Sequence, residues 1–139
     1  MKIGESVYAN KHVEFLNELL GTDYKAWMKS SRKLSDGKLL WMIELGNFVT
    51  KAGFINKLVG QDKISEKHSE KDFAYEGHNT YKRALSNGQS WDYSERVVFD
   101  VVKLGSSRKY VFRGVFRLNK EESTVEENIW NLVADEYKF

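Results

Sequence analysis

The stretch from Arg96 to Leu118, RVVFDVVKLGSSRKYVFRGVFRL, decides how the fold of this sequence is read. Two runs rich in valine and aromatic residues are joined by a short Gly-Ser-Ser-Arg link, the pattern of a β hairpin. Successive side chains of a strand point to opposite faces, so Tyr110, Phe112, Gly114, Phe116 and Leu118 fall together. That row reads as a core face, and the glycine within it marks a bulge or a close backbone approach. The other row alternates cations with valines: Lys109, Val111, Arg113, Val115 and Arg117.

Outward from the hairpin the pattern is less regular. KLLWMIELG is short, apolar and bounded by glycines, which predicts a buried strand with Trp41 in the core. Between Ser6 and Leu20 the apolar residues recur every three or four positions, predicting an amphipathic helix with Ser6 as N-cap and Gly21 as its stop. Asp23 to Ser30 fits helix or extended chain, and Asp36-Gly37 a turn. FVTKAGFINKLVG is cut into short pieces by its glycines. Gln61 to Gly88 is polar and lysine-rich, with one short helix expected around Ser65 to Tyr75 and a long loop after it. STVEENIWNLVADEYKF combines a capping-box pattern with two-residue alternation, and a short capped turn leading into a strand is preferred. Together these predict a single α+β domain over residues 1–139, helical at about 5–30 and β-rich at about 38–139. Its sheet is expected to be small, mostly antiparallel and curled or closed into a barrel, with flanking helices.

The chain has 139 residues, the size of one domain, and 41% of them are hydrophobic, enough to offset the entropy of ordering. It has no cysteine, which excludes disulfides, thiolate nucleophiles and cysteine-ligated metals. The longest apolar run, Leu39 to Ile43, is far too short to span a bilayer, and the N-terminus lacks the apolar core of a signal peptide. A cytoplasmic protein with no membrane partner is therefore expected.

A net charge of +2 conceals a marked asymmetry. Between Val101 and Lys120 there is no acid, but there are six bases: Lys103, Arg108, Lys109, Arg113, Arg117 and Lys120. From Glu121 to the end, six acids face one lysine. Cations at alternate strand positions recur every ~6.8 Å, comparable to the spacing of successive phosphates. Arginine adds a planar fork matched to phosphate oxygens. Lys103, Arg108, Lys109, Arg113 and Arg117 are thus candidate nucleic-acid contacts. The competing reading is that the acidic C-terminal segment pairs with this strand and neutralises it. A second basic group, Lys25, Lys29, Arg32, Lys33 and Lys38, surrounds Trp27 and either extends the surface or is a solvated face.

In NGQSWDYSER, Trp91 and Tyr93 follow an Asn-Gly turn in a polar setting. Two such aromatics can stack on a base or wall a base pocket, with Asp92 hydrogen-bonding the base edge. The alternative is that strand alternation turns both rings into the core. Catalytic signals are weak. His12, His68 and His78 lack metal-ligand spacing, and there is no phosphate-binding loop and no nucleophile elbow. No catalytic residue, metal site or cofactor is assigned. His68 and His78 among Glu70, Asp72 and Glu76 leave metal-dependent hydrolysis as a lesser alternative.

The pattern RVVFDVVK…RKYVFRGVFRL resembles strands of the PUA-like superfamily, which includes the SRA, EVE and YTH domains that recognise modified or unusual bases in DNA or RNA. The resemblance runs from about Trp91 to Leu118. It implies a small curled sheet with flanking helices and an extruded base held by Trp91, Asp92 and Tyr93, with Arg113 and Arg117 on the backbone. The expected function is a nucleic-acid-binding module for a flipped or modified base, in a restriction or defence setting, with DNA or RNA as partner. The main alternative is a protein–protein module, such as a small phage- or mobile-element-encoded inhibitor whose acidic tail mimics nucleic acid.

Overall fold

The computed structural model describes residues 1–46, 48–50, 53–68, 80–91 and 94–139. In chain order the elements are β1 (Ser6–Ala9), α1 (His12–Leu20), β2 (Ser31–Lys33), β3 (Leu39–Ile43), β4 (Phe54–Val59), β5 (Lys63–His68), α2 (Tyr81–Ser86), β6 (Glu95–Leu104), β7 (Ser107–Leu118) and β8 (Glu127–Ala134). The strands follow the order β2-β3-β6-β7-β8-β5-β4, with β1 added against β7. β3 runs parallel to β6, while β1–β7, β2–β3, β4–β5 and β5–β8 are antiparallel. The sheet is therefore open and mixed, which corrects the expected barrel. A strand that returns parallel needs a long crossover, and the segment between β3 and β6 supplies it.

The chain forms two compact units: 1–44 with 96–115 and 133–139, and 45–95 with 116–132. In the first unit, the buried strand expected at KLLWMIELG is β3, with Leu40, Trp41, Met42 and Ile43 all buried. Leu40 and Met42 join Val97, Phe99, Val101, Tyr110, Phe112, Phe15 and Leu16 in one apolar cluster. Phe15 stacks on Tyr110 with centroids 4.1 Å apart and meets Phe99 edge-on at 4.8 Å. The helix expected from Ser6 starts only at His12. Ser6–Ala9 is instead a strand, paired so that Ser6 opposes Val111 and Ala9 opposes Arg108. Val7 and Tyr8 fit an extended edge as well as they fit a helical spacing, and the long β7 offers them a partner. The stop at Gly21 holds, since its φ of 66° is left-handed and favours glycine.

The second unit carries the larger correction. Ser65 to His68, where the sequence reading begins its short helix, belong to strand β5, and the rest of that expected helix, 69–75, lies outside the described residues. The inward residues of β5 are Ile64, Glu66 and His68, all buried, so two of three core-facing positions are polar and the alternation is masked. Among the described residues, the short helix that follows β5 in the chain is α2, capped by Thr80. The C-terminal expectation holds: a turn in which Thr124 N–H donates to the Glu127 carbonyl at 2.8 Å leads into β8.

Candidate nucleic-acid interface

The cations of β7 are placed by its backbone, and one glycine decides how. Gly114 has φ 113°, a conformation close to forbidden for a residue with a Cβ. Before it, Tyr110 and Phe112 face the apolar cluster; after it, Val115 joins them, where strict alternation puts Phe116. The parity of the strand changes at this point. Arg113 Nη2 lies 3.5 Å from Asp100 Oδ2, and Arg117 Nη2 lies 3.6 Å from Glu95 Oε2. The two arginines thus have separate acidic partners, one in each compact unit, although the sequence spacing groups them. Both arginine partners come from β6, the adjacent hairpin strand, rather than from the acidic segment after Glu121.

The five candidate cations differ in availability. The Arg117 side chain is 58% exposed, whereas Arg113 is 30% exposed and its pair Asp100 is 13% exposed. Lys103 Nζ is 3.0 Å from Glu44 Oε1. Lys109 Nζ sits 5.9 Å above the ring of Tyr8, its cross-strand neighbour, and that ring is 61% exposed. Arg108 is half-buried beside His12. Burial lowers the His12 pKa to about 4; the Arg108 charge pushes the same way and Glu44 opposes it. At neutral pH the ring is uncharged and shares a 2.8 Å hydrogen bond with the Tyr110 hydroxyl.

Trp91 is half-buried and meets Tyr81 edge-on at 5.8 Å, and Lys120 Nζ lies 5.6 Å over the same Tyr81 ring. The indole Nε1 of Trp91 is buried without a hydrogen-bond partner among the described residues. Asp92 and Tyr93, the other two residues of the expected base pocket, lie outside the described residues, as does His78. His68 is buried in β5 against Phe54, edge-on at 5.0 Å. Among the described residues, no group of three or more His, Cys, Asp or Glu side chains could hold a metal ion, and no helix is long and apolar enough to cross a membrane.

The sequence reading missed a polar row inside the second unit. Asn56 of β4 opposes Glu66 of β5, which opposes Asn128 of β8, so three adjacent strands bring these side chains into one lateral line. All three residues are buried. Glu66 Oε1 accepts from Asn128 Nδ2 at 2.8 Å and from Trp130 Nε1 at 3.2 Å. Asn128 Oδ1 accepts the backbone N–H of Tyr81 at 2.8 Å, tying the row to the start of α2 and thus to the Tyr81–Trp91 pair. Asn56 Oδ1 is buried with no partner among the described residues. An unmet buried acceptor costs about 1–3 kcal/mol, which a ligand donor would recover. The available signal was the alternation in KISEKH and ENIWNL, in which polar residues take inward positions.

The chain belongs to the SRA (SET and RING associated) domain family, whose model matches residues 1–139. Domains of this family are modified-base-recognising nucleic-acid-binding modules that bind DNA. Among solved structures, it is similar to the 5-hydroxymethylcytosine-specific restriction enzyme AbaSI, with a TM-score of 0.63 and 20% identity over 94% of this chain. The chain spans 39% of the length of that enzyme's chain, and the likeness is one of fold. No curated protein matches the chain.

Proposed function

We propose that this chain is the DNA-reading part of a cytoplasmic restriction or defence system and recognises a modified cytosine extruded from the duplex. Asn56 carries this reading: a buried acceptor without a partner among the described residues, in line with the carboxylate of Glu66. Cytosine presents its N4 amino group as a donor, and carboxylate and amide oxygens are its natural partners. A hydroxymethyl group at the neighbouring ring position would add a second donor. Asn128 and Trp130 hold Glu66 oriented, so its acceptor geometry precedes any ligand. Trp91, with Asp92 and Tyr93, is assigned the stacking wall, where each base–aromatic stack contributes about 1–3 kcal/mol. Arg117, Lys109 and Arg108 are assigned phosphate contacts, with weaker roles for the paired Arg113 and Lys103.

Duplex oligonucleotides carrying cytosine, methylcytosine or hydroxymethylcytosine at one position test the proposal. Wild-type protein is expected to prefer a modified site by at least tenfold. Asn56→Ala and Glu66→Gln are expected to erase most of that preference, about 1–3 kcal/mol, while leaving non-specific binding intact. Unchanged preference in both variants would remove the row from the recognition site.

A further inference from the structure

Asn128, 1% exposed on β8, joins two parts of the second unit through opposite ends of one amide. Its Nδ2 donates to Glu66 Oε1 on β5 at 2.8 Å, and its Oδ1 accepts the N–H of Tyr81, the first residue of α2, at 2.8 Å. One bond needs a donor and the other an acceptor, so the amide is held in a single orientation. The bond to Tyr81 also satisfies an N–H that a helix start leaves unmatched. Thr80, fully buried, fixes the same point a second time, its Oγ1 donating to the Val125 carbonyl at 2.6 Å. One residue beyond Asn128, the Ile129 carbonyl accepts the Asn119 N–H at 2.7 Å, and Lys120 follows directly in the chain. The Asn128–Ile129 step therefore meets the Glu66 carboxylate on one side and the supports of the Tyr81–Lys120 contact on the other.

We infer that Asn128 is a positioning residue that couples the polar row to the Tyr81–Trp91–Lys120 group, so that one side chain sets both the base acceptor and the aromatic wall. A ligand that orders Glu66 lowers the freedom of the amide bonded to it, and the second bond passes that ordering to the start of α2. Coupling of this kind is reciprocal, so a firmer placement of Tyr81 in turn favours the ligand at Glu66. The inference rests on the row reading a modified cytosine, and it adds that the row does not act alone.

Asn128→Asp separates positioning from packing. It keeps the size of the side chain and an oxygen towards Tyr81, but it replaces the donor towards Glu66 with a second oxygen. Two carboxylate oxygens so close cannot both be ionised, and the pair holds one shared proton until the pH rises. With that proton present the donor to Glu66 is restored; without it the two charges repel and the orientation is lost. The variant's preference for modified over unmodified cytosine in a duplex is expected within about threefold of wild type at pH ~5.5 and roughly tenfold or more below it at pH ~8. His68 along β5, Tyr81 on α2 and Lys120 before β8 are the titratable neighbours, and they are common to both proteins. Reading the variant against wild type at each pH cancels their contribution. In wild-type protein, amide hydrogen exchange at Tyr81 is expected to be slower by about fivefold or more on the modified duplex than on the unmodified one, a readout that needs no variant to fold. A variant preference that keeps a constant ratio to wild type across pH would overturn the positioning role, and so would a Tyr81 amide indifferent to the modified base. If wild-type protein itself shows no preference for modified cytosine, the proposed base reading falls and the coupling falls with it. If the preference is present but neither the pH profile nor the Tyr81 amide responds, the coupling alone falls.

Discussion

At the scale of single residues, Gly114 and His12 each hold a structural decision. Gly114 is required by its φ of 113°, and the change of strand parity depends on it. Gly114→Ala should cost about 1–3 kcal/mol of stability, visible as a lower midpoint in chemical denaturation. His12 is held neutral in the folded state with a pKa near 4, below its unfolded value of 6.5. A depressed histidine pKa means the unfolded chain takes the proton first. Its stabilising contribution is thus complete above pH 6.5 and is lost as pH falls from there towards 4. Because the ring is partly exposed, the loss is expected on the order of 1–2 kcal/mol rather than the full value of the shift. His12→Leu should flatten that acid limb of a thermal-stability profile, and a profile that keeps its slope would remove His12 as its source.

At the scale of elements, the hairpin β6–β7 and the strand β5 show what patterning reveals and hides. Both hairpin strands were legible because β-branched and aromatic residues crowd them and a glycine turn joins them. The separate partners of Arg113 and Arg117 were not, because ion pairing is set by the neighbouring strand and Gly114 interrupts the regular backbone between the two. The two arginines should behave differently in consequence. Arg113→Ala opens a largely buried pair and should lower stability by about 1–2 kcal/mol. Arg117→Ala should leave stability unchanged and reduce the salt slope of DNA binding by about 0.9. Equal effects of the two on both readouts would contradict the assignment. β5 was hidden for the opposite reason: Glu66 and His68 occupy core positions, so a residue of the candidate polar row and a buried histidine together erase the apolar signal of their strand. Functional positions are where local patterning is expected to fail.

At the scale of the molecule, charge is distributed rather than abundant. A net charge of +2 gives little long-range attraction to DNA, so on the proposed function affinity is expected from local contacts, with the hairpin cations and the Tyr81–Trp91–Lys120 group as candidates. Duplex DNA bearing a modified cytosine should therefore bind at least tenfold more tightly than unmodified duplex or RNA of the same sequence. That gap should persist as salt rises, since base contacts release no counterions, while absolute affinity falls log-linearly. A titration across ~50–200 mM salt checks both, and a preference that vanishes with salt would place recognition on the backbone rather than the base.

The residues alone determined an α+β chain with a long aromatic hairpin, a buried strand at Leu39–Ile43, a helix closed by Gly21 and a PUA-like character. These features are local: each rests on spacing, propensity or turn chemistry within a dozen residues. Tertiary structure decided the rest. The parallel pairing of β3 with β6 opened the sheet, β6 rather than the acidic tail supplied the partners of Arg113 and Arg117, and Asn56, Glu66 and Asn128 met only because three strands from distant parts of the chain align in register. Register between strands is set by how both faces are buried, and no single strand carries that information.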